Sequence, residues 1–240
     1  MIQLSKRLAE VASFVTCGNR IADVGTDHGY VPVYLVQAGK VPYAIAMDIN
    51  KGPLKHAEEN IMRYGLGGQI ETRLSDGLCA YNKNEADTII IAGMGGALII
   101  RILSAQYDKW KDCGELILSP HSEQEAVRRY LCDNGMSVIR ESMLIDDGKY
   151  YTVIKAARGE QQYESTAQYR YGQLLLERRD KVLFEYLKRE EEKLGRIRAS
   201  LNKTGGEVLM LRSRELSEQE AVLKEAFAYY DVCRVSAESH

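Results

Sequence analysis

Ile21-Ala22-Asp23-Val24-Gly25-Thr26-Asp27-His28-Gly29-Tyr30 is the stretch that decides the fold of this 240-residue chain. An apolar run ends in Asp23, a tight glycine turn follows, and the pattern predicts a helix opening near Gly29. Glycines at such a turn let the backbone approach a ligand closely, and the helix N-terminus offers it free N–H groups. The next apolar run, YAIAMDI at 43–49, puts Asp48 about 20 to 25 residues beyond the turn. An acid at that place takes both hydroxyls of a ribose.

The spacing also chooses among nucleoside ligands. A nicotinamide dinucleotide needs G-x-G-x-x-G to cradle its pyrophosphate. Here the spacing is D-x-G-x-D-x-G, with Asp27 where a pyrophosphate wants no negative charge. Acids at Asp23 and Asp27 suit a ligand with a positive amino-acid tail and a sulfonium centre, and S-adenosylmethionine is such a ligand. Asp76, in Ser75-Asp76-Gly77, supplies a third acid for an adenine exocyclic amine. Aspartate is common at strand ends and helix caps in any protein. Three in order, closing three successive apolar runs, point to a site.

Outward from this stretch, short apolar runs (20–25, 43–49, 68–76, 86–93, 114–120, 137–145 and 150–156) alternate with helical segments at Gly29–Ala38, Pro53–Tyr64, Gly96–Ser104 and Glu123–Asn134. Strands alternating with helices predict an α/β fold, a mostly parallel sheet covered on both faces. Only Asp146-Asp147-Gly148-Lys149 separates the last two runs, which suits an antiparallel hairpin and one reversed strand. The fourth run enters Gly93-Met94-Gly95-Gly96. Ligands in such sheets sit beyond the carboxyl ends of the strands, so this loop is expected to face a transferred methyl group. Its glycines admit a flat base, with Met94 as a soft apolar wall. An Asn-Pro-Pro-Tyr loop, which grips an amine nucleophile, is absent.

From about residue 158 glycine becomes rare and charge density rises. Leu176, Leu183, Leu187, Leu194, Ile197 and Leu201 follow a near-heptad seam, coiled-coil-like. Lys203-Thr204-Gly205-Gly206 breaks that helix, and Ser217-Glu218-Gln219-Glu220 reads as a capping box opening a second one. Residues 207–216 are either a loop or an extension of the second helix. The expectation is two long antiparallel helices at 158–240, after a sheet domain at 1–157. Residues 165–203 hold ten basic and six acidic side chains, an excess of +4. Such a surface is either a solvated face laced with i,i+4 pairs or a basic arm for a phosphate backbone, and composition does not decide.

The composition is 45% hydrophobic with net charge −2, which excludes a disordered chain. Five scattered cysteines (Cys17, Cys79, Cys113, Cys132, Cys233) form no CxxC or Cys/His cluster, so neither a disulfide scaffold nor a metal site is expected. They read as reduced thiols of a cytoplasmic protein. The start, MIQLSKRLAEVASFV, has no long apolar stretch before a cleavage site, and no run reaches a membrane-spanning length of about 18 residues. Neither secretion nor membrane association is expected.

Taken together, these residues resemble the bacterial tRNA (adenine(22)-N1)-methyltransferase family. The resemblance spans nearly the whole chain. It rests on Leu4-Ser5-Lys6-Arg7-Leu8, the D-V-G-T-D-H-G-Y string at 23–30, Asp48, Ser75-Asp76-Gly77, the A-G-M-G-G string at 92–96 and Asp147-Gly148-Lys149-Tyr150. It departs after the fifth run, where this chain has Ser119-Pro120-His121 in place of Gln-Pro-Asn.

The resemblance implies a Rossmann-like class I methyltransferase sheet with its last strand antiparallel, followed by a C-terminal helical hairpin that binds tRNA. The implied activity is transfer of the S-adenosylmethionine methyl group to N1 of an adenine, position 22, in tRNA, leaving S-adenosylhomocysteine. Donor contacts are then expected from Asp23, Gly25, Thr26, Asp27, Gly29, Asp48, Ile49, Asp76, Gly77, Gly93 and Met94. Asp27, with His28 second, is expected to stabilise charge on the adenine. Arg7, Tyr30, Gly95 and Pro120 are expected to meet the target base, and Arg178, Lys181, Lys188, Arg189 and Arg196 the phosphates. Two other readings use the same residues: a small-molecule methyltransferase whose tail is a lid or dimer interface, and a non-catalytic RNA-binding protein on this fold. A heptad seam serves a monomer or a homodimer equally.

Overall fold

Seven strands form one sheet in the order β3-β2-β1-β4-β5-β7-β6. They are β1 (Ile21–Val24), β2 (Ala44–Asp48), β3 (Ile70–Leu74), β4 (Thr88–Met94), β5 (Glu115–Pro120), β6 (Met136–Asp146) and β7 (Lys149–Arg158). The computed structural model describes residues 2–201 and 208–231. β1 to β5 pair in parallel, and β7 runs antiparallel to β5 and to β6. The doubly covered, Rossmann-like sheet with one reversed strand is therefore as expected. β1, β2 and β5 are buried along their whole length, because helices shield both faces. The β6–β7 hairpin closes through Asp147 and Gly148, both at positive φ (48° and 70°), the backbone that two-residue hairpin turns demand.

The helices of this unit are α1 (Lys6–Phe14), α2 (Tyr30–Gln37), α3 (Lys51–Arg63), α4 (Gly96–Ala105), α5 (Tyr107–Trp110) and α6 (Gln124–Asp133). α1 stands outside the strand–helix alternation. Ser5 caps it by accepting the Leu8 N–H, and it buries Val11, Ala12 and Phe14. At the end of the sheet away from the strand C-termini of β4 and β5, Glu115 pairs with Lys155 at 2.5 Å and accepts hydroxyl protons from Thr88 (2.6 Å) and Thr16 (2.8 Å).

The chain divides into two compact units, one ending at Gln162 and the next starting at Tyr163. The second holds α7 (Thr166–Tyr171), α8 (Gln173–Glu177), α9 (Lys181–Leu201) and α10 (Val208–Asp231). α9 and α10 are antiparallel: Phe184 meets Phe227 and Tyr230, while Arg198 reaches back to Ser213 and Glu220. Leu183, Leu187 and Leu194 are buried along the expected seam, and Leu216, Leu223 and Ala226 are buried on α10.

Three expectations need correction. Two short helices precede the hairpin, and Leu176 belongs to α8. Ser217 does not cap a helix, because α10 has already begun at Val208; its hydroxyl donates to the Ser213 carbonyl one turn back (2.9 Å). Arg178 precedes α9 and is paired with Asp180 at 2.8 Å, whose carboxylate accepts the first N–H groups of that helix. The helix break at 203–206, Cys233 and His240 lie outside the described residues. Among the described residues no helix is long and apolar enough to cross a membrane, and no cluster of three metal-ligating side chains occurs.

Candidate active site

The strand order reverses between β1 and β4, and a cleft of about 510 Å³ opens at their carboxyl ends. This is where ligands bind in open α/β sheets. Asp23, the penultimate residue of β1, is 4% exposed and accepts the Thr26 hydroxyl at 2.7 Å. Burial pushes its carboxyl up to about 7, against the Thr26 hydrogen bond, and the charges of Asp48 and Asp27 add to the rise. Gly25 turns at φ 74°, and its N–H and that of Thr26 both donate to the Met47 carbonyl. That positive φ favours glycine, and a β-carbon here would also push the flexible tip of Met94 aside.

Asp27 and His28 follow at φ 32° and 64°, a left-handed backbone that side-chain-bearing residues seldom adopt. The Asn60 amide holds this turn by donating to the His28 carbonyl at 2.9 Å. The two side chains stay together, His28 Nε2 lying 3.4 Å from Asp27 Oδ1. Asp27 enters the cleft with its carboxylate largely exposed. The His28 ring does not line the cleft; it stacks between Tyr30 (5.5 Å between centroids) and His56 (4.7 Å). His28 therefore stands behind Asp27, reaching the cleft through that carboxylate and not as part of its lining.

Asp48 ends β2, buried, with Oδ1 accepting the Asn50 N–H at 2.8 Å. Ile49 beside it is 57% exposed into the cleft, an apolar wall awaiting a partner. Ser75 donates its hydroxyl to the Gly77 carbonyl and accepts the Ala80 N–H, a small knot that presents Asp76 at the rim. Across the cleft, β4 ends in Gly93 and Met94, and the His121 N–H donates to the Met94 carbonyl. Arg7 lies against Gly93.

Twelve expected residues line this one cleft: Asp23, Gly25, Thr26, Asp27, Asp48, Ile49, Asp76, Gly77, Gly93, Met94, Arg7 and Tyr30. Gly29 is buried behind the turn against Ala57, and Gly95 and Pro120 do not line the cleft. Sequence reading missed Asn50, Leu98, Arg101, Ile102 and His121. Leu98, Arg101 and Ile102 stand at i, i+3 and i+4 on α4, one helix face, and His121 follows the end of β5. Those two rules were sufficient to find them. In the second unit, Arg178, Lys181, Lys188, Arg189 and Arg196 are exposed, and Lys188 lies over the Phe184 ring.

A family model described as a methyltransferase domain matches residues 4–154. The tRNA (adenine(22)-N(1))-methyltransferase of Bacillus subtilis is 42% identical over 159 residues, 66% of this chain and 67% of its own length. The crystal structure of the B. subtilis tRNA methyltransferase TrmK superposes with a TM-score of 0.88 at 34% identity, covering 94% of this chain and 99% of that one. That of M. capricolum TrmK with S-adenosyl-homocysteine gives 0.84 at 29% identity, covering 94% and 98%.

Proposed function

Because this chain belongs to the tRNA (adenine(22)-N1)-methyltransferase family, we propose that it transfers the methyl group of S-adenosylmethionine to N1 of an adenine, position 22, in tRNA. One observation carries the reading to these residues: four carboxylates from the ends of β1, β2 and β3 converge on a cleft whose glycine floor is bare. Burial, with the charges of Asp48 and Asp27 adding to it, favours the proton on Asp23, and a cationic ligand offsets that rise. The residues present thus fit S-adenosylmethionine.

Asp48 takes the ribose hydroxyls, Asp76 and Gly77 the adenine edge, and Ile49 its face. Asp23, Gly25, Thr26 and Asp27 hold the amino-acid end, with Gly93 and Met94 beside the methyl. Bound there, S-adenosylmethionine supplies a methyl group on a positively charged sulfur. Adenine N1 carries a free lone pair at neutral pH, so the site needs no strong base. Its work is alignment and exclusion of water, worth roughly 7 to 11 kcal/mol. N1 lies on the pairing edge, so the adenine must leave its stack, and Tyr30 offers a ring to receive it. The base becomes cationic as it is methylated, and Asp27 stabilises that charge. The helical unit, with Lys181, Lys188, Arg189 and Arg196 exposed and Arg178 beside them, meets tRNA phosphates. The protein acts in the cytoplasm, as a monomer or homodimer.

The test is incubation with unmodified tRNA and labelled methyl donor, followed by nucleoside analysis. Label in 1-methyladenosine supports the assignment. Label in 6-methyladenosine or in cytosine overturns it.

A further inference from the structure

The cleft is electrically two-sided. Its carboxylates come from the ends of β1, β2 and β3, whereas the wall beyond β4 is lined by Arg7 and Leu8 of α1 and His121 after β5, with the β6–β7 hairpin packed behind Arg7; Arg101 of α4 is the other arginine of the cleft lining. On that wall Arg7 is half-buried, its guanidinium carbon 5.4 Å from the centre of the Tyr151 ring. His121 meets the same ring edge-on at 5.5 Å, which fixes the plane on which Arg7 rests. The Arg7 N–H donates to the Asp146 carboxylate at 3.0 Å, tying α1 to the hairpin. Among the described residues no carboxylate pairs with the Arg7 guanidinium itself. The structure has thus partly desolvated a permanent cation, oriented it on an aromatic ring, and left its donors for a ligand.

We propose that Arg7, positioned by Tyr151 and His121, binds a phosphodiester group flanking the target adenosine. The inference rests on the tRNA-methylating activity proposed above. An everted nucleotide brings its two phosphates to the mouth of the cleft with its base. A guanidinium facing the base would oppose methylation, because the base becomes positive; facing a phosphate, it anchors the nucleotide at no such cost. Its planar fork matches two phosphate oxygens, which a lysine cannot do. Burial first, then the charges of Arg7 and Lys149, lower the tendency of His121 to protonate, so this wall does not add a second cation against the base.

The test uses the full-length protein and tRNA assembled with a neutral methylphosphonate at either linkage flanking the target, a 2′-deoxy sugar protecting that linkage. Control tRNA carries the deoxy sugar alone. Wild-type kcat/KM is expected to fall about tenfold on the neutral substrate at one of the two linkages. Arg7→Ala should lose the same factor on the control tRNA and nothing further on that neutral one, with S-adenosylmethionine affinity within twofold of wild type. Tyr151→Phe keeps the ring and should behave as wild type; Tyr151→Leu should raise KM for tRNA severalfold at unchanged kcat. If the two losses multiply, or if Arg7→Ala weakens donor binding as much as it slows turnover, the guanidinium does not hold the phosphate and the proposal falls. In the second case it holds the donor's carboxylate. A wild-type protein that leaves the control tRNA unlabelled overturns the activity and this inference together.

Discussion

The Thr26 hydroxyl donates to the Asp23 carboxylate at 2.7 Å on the floor of the cleft, and burial overrides that bond to leave Asp23 titrating at about 7. A carboxyl raised in the folded state keeps its proton longer there than in the unfolded chain. Its contribution to stability is therefore fully present below the unfolded value near 4, and is lost as pH rises through about 7. Asp23→Asn should be more stable than wild type at pH 8.5 by on the order of a few kcal/mol in denaturant titrations, with little difference at pH 4. The same variant should lose donor binding. Wild-type affinity for S-adenosylmethionine should rise between pH 6 and 8 with release of a proton, measurable by calorimetry in buffers of different ionisation enthalpy. Affinity flat across that range would remove Asp23 from the cation's seat.

Asp48→Ala should weaken donor binding by roughly 1.5 to 3 kcal/mol. Because Asp48 Oδ1 also accepts the Asn50 N–H, Asp48→Asn is the cleaner variant: its amide oxygen keeps the loop while the charge is lost. A folded Asp48→Asn protein with wild-type donor affinity in calorimetry would move the ribose elsewhere.

Asp27 sits at φ 32°, a backbone that Asn tolerates better than Ala, so Asp27→Asn removes charge with least strain. At saturating donor, single-turnover methylation should slow by about 10²-fold while tRNA affinity holds. Rates within threefold of wild type would show that another group stabilises the adenine charge.

Replacing Lys181, Lys188, Arg189 and Arg196 of α9 by glutamine should flatten the salt dependence of tRNA binding. Each lost phosphate contact lowers the slope of log K against log salt by about one unit. An unchanged slope in the fourfold variant assigns these charges to a solvated helix face.

At the other end of the sheet, Lys155→Ala strands the buried Glu115 carboxylate and should cost about 3 to 5 kcal/mol. Lys155 and its partners hold Glu115 below the usual carboxylate range despite burial. The stability from that depression is present above about 4.5 and lost in acid, so the wild-type advantage in urea titrations should shrink as pH falls toward 3.

The sheet was legible because each strand is a short, continuous apolar run bounded by polar turns, and burial on both faces requires that pattern. The acidic side of the cleft was legible for a related reason: Asp23, Asp48 and Asp76 each close a strand or open its loop, so sequence position gives spatial position. The Arg7–Tyr151 contact was not, because it joins residues 144 apart through a hairpin whose register no local pattern fixes. The ring stack at His28 was illegible for a different reason. The neighbours of His28 place it beside Asp27, as it is, but a positive φ at both residues turns its ring against Tyr30 and His56, and nothing in the letters of D-H-G announces that angle. Ser217 shows the converse: a capping box is a pattern of letters that also occurs more than two turns inside a helix.

The sheet order also sets a timetable for the chain as it leaves the ribosome. β1 to β4 and every carboxylate of the cleft are complete by residue 94, and these strands neighbour one another. β5 gains its second neighbour only when β7 has been made, and the N–H of residue 7 waits for the carboxylate of residue 146. A nascent chain short of residue 158 therefore carries the whole acidic half of the site while β5 still stands as an open edge. Synthesis finishes the acidic side of the cleft first, and the side that carries Arg7 is sealed by the last strand.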